Sequence, residues 1–117
     1  MKHLLVFGSL RQNSKRGYNF NRFGGQEYIK DIELNGFEMY NLGSYPAICE
    51  GEGKIKCELH SVKEEAANYI ERMEIGAGYT GKTIKTELNG QIVDATIYTW
   101  PKSRLQKYNR IESGNWD

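Results

Sequence analysis

The sequence has few of the features that mark several large classes of protein. Its two cysteines, Cys49 and Cys57, stand at no C-x-x-C spacing, so we expect reduced thiols and no disulfide framework. No stretch approaches the roughly 20 apolar residues of a membrane span, and the apolar run from Leu4 to Phe7 is too short for a signal-peptide core. Sixteen Lys and Arg against fifteen Asp and Glu give a net charge of +1, which disfavours nucleic-acid binding through a basic face. These absences predict a soluble, cytoplasmic protein that binds neither membranes nor nucleic acid.

The chain length and the tyrosine content indicate a single domain with half-buried strands or pocket walls. A chain of 117 residues is expected to form one domain, 1–117, with a single core. Eight tyrosines are many for this length. Tyrosine suits half-buried strands and pocket walls, because its ring is apolar while its hydroxyl needs a partner.

Strand signals dominate the chain. Residues 3–7, HLLVF, end at Gly8 and predict a short buried strand, and the polar residues 9–25 predict a long loop of the kind that is often functional. Asn-Gly occurs twice between strand-like runs, at 35–36 and 89–90. This pair favours a type I′ turn, so we predict two hairpins, with strands at 27–34, 37–40, 83–88 and 91–100. Residues 54–60 alternate as a half-buried strand should.

One helix is predicted over residues 62–73. Ser61 and Glu64 have the spacing of a capping box, and apolar residues recur at helical spacing behind it, at Val62, Ala66, Tyr69, Ile70 and Met73. The tail from Lys102 is expected to be solvated, with Trp116 pinned to the body. Together these elements predict an α+β fold, a small mixed and mostly antiparallel β-barrel with one main amphipathic helix.

Glu74 stands where the predicted helix ends and a glycine-bearing segment, Gly76-Ala77-Gly78, begins. It is either a solvated charge in a surface turn or the working carboxylate of an active site. Other chemistry is hard to find in the sequence. His3 and His60 lack carboxylates at ligand spacing and predict no metal site, and Ser9 lacks the G-x-S-x-G elbow of a hydrolase nucleophile.

Four segments in order resemble the gamma-glutamylcyclotransferase superfamily, of the gamma-glutamylamine cyclotransferase type. They are the strand exit FGSLR at 7–11, YNLGSYPAI at 40–48, ERME with GAGY at 71–79, and IESGNW at 111–116. The resemblance covers nearly the whole chain and implies a small mixed barrel, which agrees with the fold predicted from the residue pattern. The segment Thr80-Gly81-Lys82 departs from the family's frequent Tyr-x-Arg.

The resemblance implies an enzyme that cleaves a gamma-glutamyl amide by attack of the substrate's own α-amine, releasing 5-oxoproline and an amine. It implies that Glu74 is the catalytic general acid and base, with Glu71 a surface acid or a partner behind it. The expected substrate-binding residues are Phe7, Gly8, Ser9, Leu10, Tyr45 and Tyr79, and neither a metal nor a cofactor is required.

Two other functions stay open. One is a non-catalytic small-ligand binder on the same barrel, which Thr80-Gly81-Lys82 and loop 12–25 favour slightly. The other is nucleic-acid binding through four cations near the end of the chain, Lys102, Arg104, Lys107 and Arg110, which the near-neutral charge disfavours. Neither the leaving amine nor the oligomeric state can be read from the sequence.

Overall fold

The computed structural model describes residues 2–8 and 26–116. The predicted loop at 9–25 lies outside the described residues. In chain order the elements are β1 (Lys2–Val6), β2 (Gln26–Asn41), β3 (Pro46–Val62), α1 (Glu64–Gly76), β4 (Thr80–Leu88), β5 (Gln91–Thr99), α2 (Lys102–Leu105) and β6 (Asn109–Arg110).

The described strands form one mixed sheet in the order β4-β5-β1-β3-β2-β6. The β1–β5 pair is parallel, and every other pair is antiparallel. The sheet curls into a half-barrel with α1 as its main helix, so the predicted α+β fold is confirmed. Its interior is lined by fully buried side chains such as Leu5, Ile55, Leu59 and Ile97.

Contacts between the β4–β5 region and the first half of β3 hold the sheet in its curled form. These contacts are made by every second residue of β3. The Tyr79 hydroxyl donates to the Pro46 carbonyl at 2.6 Å, the Trp100 N–H donates to the Ile48 carbonyl at 2.9 Å, and Lys82 forms an ion pair with Glu50. Because Pro46 begins β3, the first of these contacts fixes the end of the sheet where the long β2–β3 hairpin turns.

One of the two predicted hairpins is confirmed. Asn89 and Gly90 both have positive φ, 53° and 81°, as a type I′ turn requires, and they join β4 to β5. The first of these strands begins at Thr80, three residues earlier than predicted.

The hairpin predicted at Asn35-Gly36 is wrong, because β2 runs straight through it. Only Gly36 of the pair has a positive φ, 88°, and a type I′ turn needs two such residues. The strand pairing continues on both sides of a bulge, with Asn35 opposite Lys54 and Phe37 opposite Glu50. The chain reverses instead at residues 42–45, where the Leu42 N–H donates to the Tyr45 carbonyl.

The helix was predicted two residues too early and its capping box does not form. Ser61 lies in β3, paired with both β1 and β2, so its backbone is held extended and cannot cap a helix. Lys63 is the N-cap and makes no side-chain capping bond. The helix buries Ala66 and Ile70, but Tyr69 and Met73, which were predicted on the apolar face, are 50% and 40% exposed.

The tail is more structured than predicted. It forms α2 and β6, buries Leu105, and pins Trp116 to the body as expected. The Gly114 carbonyl accepts from Lys56 N–H at 2.7 Å, and Gly114 has a φ of 69° and no room for a Cβ against the Lys54 carbonyl. The tail therefore completes the outer side of the β2–β3 hairpin.

A buried carboxylate attaches two of the tail cations to the sheet. Glu38 lies 3.8 Å from Lys102 Nζ and 3.9 Å from an Arg110 guanidinium nitrogen, and it accepts from the Tyr40 hydroxyl at 2.9 Å. That hydrogen bond is the largest cause of the lowered pKa of Glu38, and the two cations lower the pKa by less. Arg104 stacks on the Trp100 ring at 4.2 Å.

Candidate active site

A cleft of about 450 Å³, counted with its solvent-open mouth, lies between the end of β1 and the last turn of α1. Residues 4–8 form its floor, and the other lining residues are Tyr45, Pro46, Ile70, Glu74, Tyr79 and Tyr98. The β2–β3 turn, the helix and the β4–β5 hairpin thus meet at one point. All the predicted site residues that the structure describes lie around this cleft.

Glu74 lies in the last turn of α1, rather than just beyond the helix as the sequence suggested. It stands one turn after the fully buried Ile70, on the same helix face, so the packing of Ile70 against the sheet directs Glu74 into the cleft. Within the described chain Glu74 is the one carboxylate that lines the cleft. Desolvation by burial raises its pKa from 4.5 to about 7.

The backbone around Glu74 is fixed by the way the helix ends. The Glu74 carbonyl accepts hydrogen bonds from the N–H groups of Ala77 and Tyr79, at 3.1 and 3.0 Å. Gly78 closes the turn with a φ of 97°, and a Cβ there would lie 3.1 Å from the Arg104 guanidinium. The positive φ favours glycine at this position, and a side chain there would also press on the Arg104 guanidinium.

Tyr79 is a wall of the cleft whose hydroxyl is already engaged. The side chain is buried, and its hydroxyl donates to the Pro46 carbonyl at 2.6 Å. Burial raises the pKa of Tyr79, so the phenol stays neutral. Pro46 in turn packs closely against Gly8, where a Cβ would lie 3.1 Å from the proline ring. Tyr79 therefore fixes the distance between the helix end and the exit of β1.

The remaining predicted residues divide into three groups. Phe7 is a buried part of the floor. Tyr45 is 41% exposed at the mouth, its ring centroid 6.5 Å from that of Tyr79. Ser9 and Leu10 lie outside the described residues, so a carboxylate-binding role for the backbone N–H groups of Gly8, Ser9 and Leu10 stays a prediction.

Sequence reasoning missed Tyr98, a buried tyrosine of β5 that lines the cleft. It also missed a buried pair away from the cleft, in which Glu58 Oε1 lies 2.9 Å from His60 Nε2. Over residues 2–8 and 26–116, no group of three or more His, Cys, Asp and Glu side chains could hold a metal ion. None of the helices in the described ranges is long and apolar enough to cross a membrane.

The family to which the chain belongs is shown by its sequence. The profile of the family described as "Gamma-glutamyl cyclotransferase, AIG2-like" matches residues 4–117, and the chain belongs to this family. The resemblance noted in the sequence is thereby confirmed.

Individual relatives are distant in sequence. The "Gamma-glutamylcyclotransferase family protein YtfP" of Escherichia coli strain K12 is 25% identical over 114 residues, which cover 97% of this chain and 94% of that protein. The solution structure of E. coli YtfP superposes with a TM-score of 0.68 at 21% identity, covering 97% of this chain and 95% of that one. A crystal structure of an uncharacterized protein from Pyrococcus horikoshii gives a TM-score of 0.72 at 24% identity, covering 100% and 91% of the two chains. These structures show that the fold is shared.

Proposed function

We propose that this protein cleaves gamma-glutamyl amides through attack of the substrate's own α-amine, releasing 5-oxoproline and an amine, with Glu74 as general acid and base. The observation that carries the proposal is the place of Glu74. Its carboxyl lines the same cleft as Gly8, in an environment that raises its pKa to about 7. Membership of the family supports the same reaction.

The reaction needs a group that first takes and then gives a proton. The substrate's α-amine arrives as an ammonium and attacks only after it has lost a proton. Its lone pair then forms the new C–N bond at the γ-carbonyl carbon, and the π electrons move to the carbonyl oxygen. The attacking nitrogen then gives up a second proton, the old C–N bond breaks with its electron pair staying on the leaving nitrogen, and the leaving nitrogen takes a proton. A carboxyl with a pKa near the working pH serves both transfers better than one near 4.5.

The cleft suits a reaction in which nucleophile and electrophile belong to one molecule. No enzymic nucleophile is required, so the protein's task is to hold the substrate with its amine against its γ-carbonyl, which contributes several kcal/mol. Phe7, Ile70 and the Tyr79 ring provide apolar walls for the substrate. We assign the substrate's α-carboxylate to the backbone N–H groups of Gly8, Ser9 and Leu10, at the exit of β1.

The proposal is tested by replacing Glu74 with Gln and measuring 5-oxoproline release from a panel of gamma-glutamyl amines. General acid–base catalysis contributes about 10²- to 10⁴-fold, so E74Q is expected to lose at least about 100-fold in kcat. The matched control is Glu71→Gln, three residues earlier on the same helix, where the side chain is exposed and does not line the cleft. We expect this control to keep its activity.

Undiminished release of 5-oxoproline by E74Q would show that another group carries the protons. If the unmodified protein releases no 5-oxoproline from any amide of the panel, the proposed reaction is wrong. A thermal shift with glutamate-like ligands in the absence of turnover would then indicate a non-catalytic binder on the same half-barrel.

A further inference from the structure

Tyr98 lines the active-site cleft and also a second, more polar cleft against α1. The second cleft includes His3, Asn68 and Glu71. The tyrosine is 7% exposed, so packing against the surrounding residues fixes its position. The carboxylates of Glu71 and Glu74 are both close enough to act electrostatically on its phenol.

The Tyr98 hydroxyl makes no hydrogen bond within the described chain. Its oxygen is not fully enclosed by protein atoms, and the side chain lines the active-site cleft. This distinguishes it from the Tyr79 hydroxyl, which is bound to the Pro46 carbonyl at 2.6 Å, and from Tyr45, which lies exposed at the mouth. Of the described tyrosines around the cleft, Tyr98 alone combines a buried ring with a hydroxyl that can still donate.

A second observation concerns the strand opposite Tyr98. Gly81 is its direct cross-strand partner, and a Cβ on Gly81 would lie 3.3 Å from Tyr98 Cε1. Such a contact is tight enough to displace the ring by a few tenths of an ångström. Gly81 therefore leaves room for the tyrosine ring.

We propose that Tyr98 is a catalytic residue, whose hydroxyl donates a hydrogen bond to the γ-carbonyl oxygen of the substrate as the α-amine attacks. This inference rests on the proposed function. The carbonyl oxygen gains negative charge when the new C–N bond forms, and it loses that charge when the old bond breaks. A neutral donor fixed in a partly desolvated cleft stabilises that charge more than water does.

The donor must keep its proton over the working range of pH. Burial, and then the nearby carboxylates of Glu71 and Glu74, raise the pKa of Tyr98 to about 12. The phenol is therefore neutral wherever Glu74 can act as a base. It donates a hydrogen bond throughout the reaction and takes no net part in proton transfer.

The test compares Tyr98→Phe with Tyr108→Phe, a matched removal of a hydroxyl from a half-buried tyrosine outside the cleft. Loss of one donor to a developing oxyanion typically costs about 10²- to 10³-fold in kcat. We expect Y98F to lose roughly 100-fold in kcat with KM changed less than about threefold, while Y108F keeps its rate. The melting temperature of each variant verifies that it is folded. Gly81→Ala, which moves the ring but keeps the hydroxyl, is expected to give an intermediate loss.

Binding of 5-oxoproline, measured by calorimetry, is a readout that does not need turnover. Its ring carbonyl oxygen derives from the γ-carbonyl, so Y98F should bind it about 3- to 10-fold more weakly, as expected for one neutral hydrogen bond. A folded Y98F that keeps the full kcat would overturn the role of Tyr98 and leave the proposed function standing. If the unmodified protein turns over no amide, the proposed function fails. The contact between Tyr98 and the carbonyl oxygen is then tested by 5-oxoproline binding alone. Equal affinities of Y98F and the unmodified protein would overturn that contact, and so would the absence of binding to the unmodified protein.

Discussion

Replacing Glu74 with Gln is expected to make the protein more stable at neutral and alkaline pH, even as it removes the proposed catalytic group. The pKa of Glu74 is raised in the folded state from 4.5 to about 7. Below pH 4.5 the carboxyl is protonated in both the folded and the unfolded chain, so burial carries no charge penalty. As the pH rises through about 7, the folded state must ionise a desolvated carboxyl, and that part of the stability is lost.

The size of the effect follows from the same two values. Each pH unit between them corresponds to about 1.4 kcal/mol, so the difference between 4.5 and about 7 gives an upper figure of about 3 kcal/mol. Because Glu74 is half-buried, we expect about 2 kcal/mol once hydration of the open cleft is considered. In a chain of 117 residues this corresponds to roughly 6–12 °C in melting temperature.

The measurement is the free energy of unfolding in urea from pH 4 to pH 9, for the unmodified protein, E74Q and E71Q. Other titrating groups are common to all three proteins, so the quantity of interest is the difference from the unmodified protein at each pH. That difference should grow from pH 4 to pH 8 for E74Q and stay nearly constant for E71Q, whose side chain is exposed. A constant difference for E74Q would mean that its carboxyl is fully hydrated, and the desolvated site would be refuted.

Two further predictions follow from the geometry of the cleft. The base must be ionised, so kcat/KM of the unmodified protein should rise tenfold per pH unit below about pH 7, the pKa of Glu74. The control variant E71Q should show the same pH dependence. A rise centred near pH 4.5 would contradict the assignment of Glu74 as the base. Tyr79→Phe leaves the buried Pro46 carbonyl without its donor, so it should lower the free energy of urea unfolding by about 1–3 kcal/mol, and an unchanged value would show that water replaces the hydroxyl.

Local pattern located the helix and the acid but placed the helix end too early. Ala66, Ile70 and Glu74 stand four residues apart, which is the spacing of one helix face, and the first two are the residues that α1 buries. Extending the predicted helix by one turn would have placed Glu74 on its buried face. The glycines that follow ended the predicted helix at 73, whereas the chain continues in helical form to Gly76.

Other features could not be read from local pattern, because they depend on which strands pair. Asn35-Gly36 and Asn89-Gly90 carry the same turn signal, yet only the second forms a turn. The first is overridden by the pairing of β2 with β3 on both sides of the bulge. The position of Tyr98 also depends on strand pairing. Its ring fits because the residue opposite it on β4 is Gly81, 17 positions earlier in the sequence.

The end of α1 runs against the usual preferences of a helix. The backbone dipole favours cations in the last turn and disfavours anions there, yet this turn holds Glu74 and no basic residue. Desolvation and dipole thus oppose the charged carboxylate together, and no cation lines the described part of the cleft to offset them. An acid kept where the fold disfavours its charge is a local conflict of the kind that functional sites sustain at a cost in stability. The expected gain in stability of E74Q at high pH measures that cost directly, independently of any substrate.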